Sequence, residues 1–387
     1  MDYHIINFYG ITNKKVFFVI RDAASSIIKA IKDLKLDSFD CMCHKIQLAV
    51  NDGLSINSTC LNLFEKVKKF VRKYRKSGIK RKQLTDLMLL LEMDPLNLIK
   101  AMPVRWNSSF LMLKRFLQCK TAIIAAAEAD SYFPQFTEKE WAMMELIVQL
   151  LALFYKYTIY LQHRNVSIAN VLPVYYILCQ RLSTPSSFVP AVISTMLSAS
   201  PNDDESDDTG SIELDHIEED QSREFESNVT LLNLIAETML NGLSSRMAQY
   251  VEDSKFVVAT VLDPRFKFQY FPNNEATTYS STDAAKARNI FDTFIETLYP
   301  STTLTTNTAP VISIDSSKEI VSEIDMDLEN FQKLNPKPVD TTPSPLSDEQ
   351  KLQNEIFEYL KLPLIPFTTC PYSWWHENEK DFKQLSM

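Results

Sequence analysis

A mostly α fold with a small α/β part at its N-terminus is what this 387-residue sequence predicts. Three observations carry that expectation. Five glycines are too few for the many tight turns of a β-rich fold. Apolar residues recur at helical spacing from about residue 58 to residue 300. Near the N-terminus, the β-favouring run Val16-Phe-Phe-Val-Ile-Arg21 stops at Asp22 and a helical pattern follows, the outline of a strand–helix unit. A composition of 45% hydrophobic and 11% aromatic residues is that of a globular protein with a sizeable core, and the length allows two or three domains.

In chain order, residues 4–10 read as a short helix and 16–21 as a buried strand. Ala23–Leu34 reads as a helix with apolar positions 27, 28, 31 and 34. Phe39–Cys41 adds a minimal strand, and His44–Leu54 a helix burying Ile46, Leu48, Val50 and Leu54. Residues 1–57 thus resemble half of a sheet domain, with too few strands to close one. The helical segment 58–300 contains amphipathic helices at Leu61–Arg75, Leu84–Leu91 (after a break at Ser77-Gly78), Ser109–Ala127, Glu138–Leu161, Ser167–Leu182, Leu231–Val251 and Ser280–Leu298. Ser198–Ser227 is acidic and poor in apolar residues, and 301–346 is rich in Ser, Thr, Pro and Asp; both are expected to be disordered, as a loop and a linker. Asp348–Leu360 is a last helix before Trp374-Trp375.

The net charge of −9 is unevenly distributed. Between Lys66 and Lys82 stand ten basic residues and no acidic one, namely Lys66, Lys68, Lys69, Arg72, Lys73, Arg75, Lys76, Lys80, Arg81 and Lys82. Between Asp203 and Asp220 stand ten acidic residues and no Lys or Arg. The blocks, not the total, bear on partners. The six cysteines show no paired framework and are expected to be reduced thiols. No uninterrupted apolar run reaches the roughly 18 residues of a membrane span, and the N-terminus lacks a signal-peptide layout, so an intracellular protein without membrane contact is expected.

Five segments in order resemble the transposases of the hAT group and their domesticated descendants with BED-type zinc fingers. They are the strand and Asp22 within Lys15–Ser26, Cys41-x-x-His44 leading into Ile46-x-Leu-Ala-Val-x-Asp-Gly-Leu54, and Arg105-Trp-Asn-Ser-Ser within Val104–Arg115. The other two are Leu262-Asp-Pro-Arg-Phe-Lys267 and the Tyr359-Leu-to-Trp374-Trp375 stretch. The resemblance implies a partial RNase H-like unit (1–57) carrying a large all-helical insertion domain (58–300). After the linker at 301–346 it implies the start of a C-terminal dimerisation region (347–387). In such proteins two aspartates and a glutamate hold two metal ions, magnesium in catalytically intact relatives, about 3.5–4 Å apart, to stabilise both the attacking and the leaving oxygen. Asp22 matches the second aspartate. The first is expected before the start of this sequence and the glutamate beyond its end, while Ala23 and Ser26 stand where asparagines are usual. One ligand of three predicts a vestigial Asp22, no catalysis and no cofactor.

The same residues have structural readings. Asp22 after a strand suits a helix start, where its charge complements the dipole. Cys41 and His44 offer half of a zinc site, but no second Cys/His pair has suitable spacing, so packing and local hydrogen bonding are expected and no metal. Trp106 is either a core anchor or, as the resemblance implies, a ring stacked on a base beside a backbone-binding Arg105. The ten cations are either a solvated face or a phosphate-binding run, and Lys80-Arg81-Lys82 also reads as nuclear targeting. Asp263, Pro264 and Arg265 are expected to form a structural turn. Trp374 and Trp375 would mark the dimerisation region. The resulting expectation is a transposase-derived nuclear protein that binds DNA through the basic run, a protein partner or a second copy. Two alternatives stand beside it: a fragment of an active transposase, and a protein-interaction scaffold that does not bind DNA.

Overall fold

The computed structural model describes residues 16, 18–102, 105–163, 166–188, 212–272, 278–298 and 347–386. Two parallel strands, β1 (Val19–Arg21) and β2 (Ser38–Asp40), pair with Arg21 opposite Asp40. Between them runs α1 (Ser25–Asp33), so the strand–helix–strand outline expected of residues 16–41 is present with shorter strands. The expected helix at 4–10 and the linker at 301–346 lie outside the described residues.

Helix α2 (Met42–Ser55) follows β2 directly, then α3 (Ser58–Lys76) and α4 (Gly78–Leu90). Asn57 caps α3 by accepting the Thr59 N–H at 2.7 Å, and the Ser77 hydroxyl accepts the Lys80 N–H at 3.3 Å to start α4. The break expected at Ser77-Gly78 is therefore one residue wide, and α4 begins at Gly78 instead of Leu84. The single helix expected over 109–127 is two, α5 (Trp106–Gln118) and α6 (Lys120–Ala129), hinged at Cys119. Helix α7 (Glu138–Tyr160) opens on a capping box, Thr137 and Glu140 satisfying each other's backbone N–H. A 3₁₀ turn at Ile168–Asn170 leads into α8 (Val171–Leu182), and a second turn follows at Pro185–Phe188.

The largest departure from the sequence reading is α9, which spans Ile212–Met247 and so takes up the second half of the segment expected to be an acidic disordered loop. Glu213 and Asp215 fall in its first turn, where acidic residue types suit a helix start. Acidity thus marks a helix start here as well as a solvated segment. The chain continues through α10 (Ser254–Leu262) and α11 (Ala284–Leu298).

Two compact units are distinguished, Met1–Ile290 and Phe291–Met387. In the first, α2 lies against α9 so closely that glycine is required at Gly53, where a Cβ would stand 2.9 Å from the Ile235 carbonyl oxygen; at Gly242 the nearest atoms, at 2.9 Å, are the movable ends of Asp52 and Arg246. Helix α5 packs on α7, and a ring cluster fills the space beside α3: Phe70 against Phe116 (5.2 Å) and Phe133 (4.5 Å), and Phe116 against Trp141 (5.5 Å). Helix α7 is long and apolar enough to cross a membrane. Trp141, Met144, Ile147, Leu150, Leu151 and Phe154 are nevertheless buried within the protein, which makes it a core helix.

The second unit contains α12 (Asp348–Lys361) and α13 (Pro371–Glu377). Tyr359 gathers Trp375 (5.1 Å), Trp374 (5.9 Å) and Phe382 (6.1 Å) around it, and the Glu355 carboxylate accepts the N–H groups of Gln384 and Leu385. The paired tryptophans are half-buried members of this small core.

Candidate nucleic-acid interface

The ten cations of 66–82 divide into two sets. Lys66 pairs with Glu140 at 2.6 Å and lies over the Phe136 ring, and Lys68 pairs with Glu65 at 2.8 Å. Lys73 donates to the Tyr132 carbonyl, Arg75 to the Leu98 carbonyl at 3.2 Å, and Lys80 pairs with Asp130. That last pair, together with the Tyr132 N–H, holds the Asp130 carboxyl below its ordinary range. Four of these five tether α3 and α4 to other parts of the chain, and the Lys68–Glu65 pair lies within α3. Lys69, Arg72, Lys76, Arg81 and Lys82 are exposed. Lys69, Arg72 and Lys76, three and four residues apart, share one face of α3.

Arg72 stands where two surface clefts meet. One, of about 290 Å³, is also lined by Lys68, Lys100, Met102, Ser109 and Met112. The other, of about 480 Å³, is lined by Lys66, Lys69 and Pro134, with Glu65 shared. Lys100 has no signal in the sequence. It lies outside the basic block, a lone lysine between apolar residues, and only the fold carries it beside Arg72.

Arg105 is exposed at the N-cap of α5, its carbonyl accepting the Ser108 hydroxyl at 2.7 Å. Trp106 is not available for stacking on a base. It is 3% exposed and packed against Phe110 and Phe154 at 6.4 Å, with its backbone N–H donated to Gln47 Oε1 at 3.3 Å. The first residue of α5 faces the α7 core, so the ring is packed as an anchor, one of the two readings the sequence leaves open. The preceding residue, Val104, lies outside the described residues.

At the sheet end, Asp22 Oδ1 accepts the Ala24 N–H at 3.1 Å, a turn that leads into α1. The neighbouring strand's Asp40 is clasped by Arg21 Nη1 at 2.6 Å and Lys45 Nζ at 3.4 Å. Lys45 in turn donates to the Arg246 carbonyl at 2.9 Å and covers the Tyr250 ring. Two cations against one of these carboxylates oppose a divalent ion, and among the described residues no three His, Cys, Asp or Glu side chains converge as a metal site. The described residues do not fit a two-metal centre.

Cys41 and His44 open α2, Cys41 as its N-cap. The Cys43 thiol, then the backbone N–H groups of His44 and Cys43, pull the Cys41 thiol down to about 5 against the opposing effect of burial. Cys43 is pushed up in return, first by Cys41 and then by burial, and its thiol points to the Thr158 carbonyl at 3.9 Å.

Asp263, Pro264 and Arg265 form a buried turn. Arg265 donates to both Asp263 oxygens, Nε at 2.8 Å and Nη2 at 2.6 Å, and the same carboxylate accepts the Arg265 backbone N–H at 3.0 Å. Arg265 Nη2 also reaches Asn170 Oδ1 at 3.4 Å, and Asn170 donates to the Tyr160 hydroxyl. This network ties the end of α10 to α7 and the 3₁₀ turn. Trp374 and Trp375 belong to the core of the second unit and not to this surface.

Helices packed around a short parallel strand pair are the arrangement with which the comparisons with known proteins agree. The ZBED1 RNase-like helical domain matches residues 39–150, from β2 into α7. The chain is homologous to a BED-finger protein and to an hAT-type transposase. It is 22% identical over 271 residues to zinc finger BED domain-containing protein 4 of Homo sapiens, covering 69% of this chain and 19% of that protein. It is 27% identical over 179 residues to the "Putative AC transposase" of Zea mays, covering 41% of this chain and 22% of that protein. The chain thus spans about a fifth of the length of these two relatives.

Proposed function

We propose that this transposase-related chain is a nuclear, catalytically inactive nucleic-acid-binding module that holds the phosphate backbone on the exposed face of α3. The observation that carries this reading is Arg72, set between two clefts that add Lys69 on one side and Lys100 on the other. Cations converging on a concave surface neutralise phosphates and release counterions, so affinity falls steeply with salt. The absence of catalysis is supported by the carboxylates at the sheet end, which are committed to a helix start and to Arg21 and Lys45. Nuclear targeting is supported by the exposed Arg81 and Lys82, although Lys80 of the same trio is ion-paired.

The test is a binding titration with labelled DNA across salt concentrations. Binding is expected to weaken as salt rises, and Lys69→Glu with Arg72→Glu is expected to lower the slope of log K against log salt by roughly 1 for each phosphate no longer neutralised. Affinity independent of salt would sink the reading.

A second reading, a protein-interaction surface, rests on the groove between α4 and α6. It is lined by Leu84, Leu87, Leu90 and Phe133, and Ile79 and Leu90 nearby are 73% and 78% exposed. Exposed apolar residues grouped in this way mark contact surfaces.

A further inference from the structure

The cleft between α3, the segment at 100–102 and α5 is amphipathic in a way a duplex backbone does not require. Its accessible apolar side is made by Met102, which is 61% exposed, with Met112 buried beneath. Its polar side carries Arg72, Lys100, the Ser109 hydroxyl and the Glu65 carboxylate. Lys68 also lines it, but Glu65 neutralises that cation at 2.8 Å, which leaves Arg72 and Lys100 as the groups that meet an anion. At about 290 Å³ the cleft falls at the low end of small-molecule sites, which run from about 300 to 1,000 Å³, and suits one flat ring with its attached phosphate. Thioethers are polarisable and make favourable contacts with aromatic rings. A base paired within a duplex cannot enter such a cleft, because its faces are stacked and its edge is engaged; an unstacked base presents both.

We infer that this cleft takes one unstacked nucleotide of a single-stranded polynucleotide, its base against Met102 and its phosphate on Arg72 and Lys100. The inference rests on the nucleic-acid reading above and adds to it the strand state of the ligand. It also gives base contact to a part of the molecule other than Trp106, whose ring is buried.

The experiment uses the full chain and fluorescence anisotropy with labelled oligo(dT), oligo(rU) and a DNA duplex of equal length, at one low salt concentration. The single strands are expected to bind about fivefold tighter than the duplex, the worth of one good ring contact. Met102→Ser, at an exposed position, is expected to remove that preference, and Lys100→Glu to weaken all three ligands. Tighter binding of oligo(dT) than of oligo(rU), or the reverse, would assign the sugar. Equal affinity for duplex and single strand, or a preference that survives Met102→Ser, overturns the inference while the nucleic-acid reading stands. No binding to any of the three at low salt overturns both. Circular dichroism of each variant excludes loss of fold, with Met102→Ala as the replacement if Met102→Ser is unfolded.

Discussion

Single residues divide here into those whose type announces their role and those whose surroundings decide it. Asp263 and Arg265 are of the first kind. Their place beside a proline suggests a structural turn, and the structure shows a two-pronged ion pair with both side chains 3% exposed. Removing one partner strands a buried charge, so Asp263→Asn is expected to cost about 3–5 kcal/mol, read as a shifted midpoint in chemical denaturation. Trp106 is of the second kind: its sequence admits both stacking and packing, and only the neighbouring rings decide. Cys41 is of the second kind too. Its thiol lies at about 5 because the Cys43 thiol and two backbone N–H groups favour the anion. Burial pushes Cys60, Cys119 and Cys179 up from the ordinary value. At a pH of about 6, iodoacetamide is expected to alkylate Cys41 well before the others, as mass spectrometry of the digest would show. Equal labelling of all six would refute that environment. Lys267 gives a second titration. Burial lowers it from 10.5 to about 8, so the folded state holds fewer protons than the unfolded one between those values, and stability rises with pH across that window. Lys267→Met is expected to flatten the rise when wild type and variant are melted at matched pH.

At the scale of elements, the sequence shows most of the helices and few of their limits. Period-3.6 patterns reveal α3, α7 and α8, because each buries one stripe against a neighbour. Boundaries stay hidden where a single residue sets them, as Ser77 does for α4 and Cys119 does between α5 and α6. The first half of α9 is hidden because its acidic residues read as solvation, whereas at a helix N-terminus they also favour the dipole. Invisible too is the closeness of α2 and α9, since a glycine inside a helical pattern looks like a weakness until its neighbour is known. At Gly53 the nearest obstacle is the Met239 side chain and the next is the backbone carbonyl of Ile235, which cannot swing aside. Gly53→Ala is therefore expected to push the helices apart and cost about 1–3 kcal/mol, against the small gain that alanine gives in an unobstructed helix. A variant as stable as wild type would show that the pair has room. Thr137→Ala, which removes one half of the α7 capping box, is expected to cost about 1 kcal/mol by the same assay.

At the scale of the whole molecule, a net charge of −9 and a cationic face coexist because the charges are segregated along the sequence. The basic block is legible as a block, but its division is not. Four of its residues anchor α3 and α4 through Glu140, Asp130 and two backbone carbonyls, Lys68 pairs with Glu65 within α3, and the five exposed residues without such bonds are available to a ligand or a transport receptor. The division allows targeting and binding to be separated. Arg81 and Lys82 lie on α4, whereas Lys69, Arg72 and Lys76 share a face of α3 and Lys100 joins Arg72 in its cleft. In cells, Arg81→Glu with Lys82→Glu is expected to reduce nuclear accumulation of a fluorescent fusion. The purified double variant should keep most of its DNA affinity, because long-range repulsion from exposed charges is screened over about 8 Å at physiological salt. Arg72→Glu with Lys100→Glu is expected to do the opposite: it should enter the nucleus normally, recover faster after photobleaching and bind DNA weakly. Both pairs lie on exposed or cleft-lining positions, so neither should unfold the protein. If the α4 pair abolished DNA binding as completely as the cleft pair, the cations would act as one diffuse field, and the assignment of phosphate binding to the α3 face would fail.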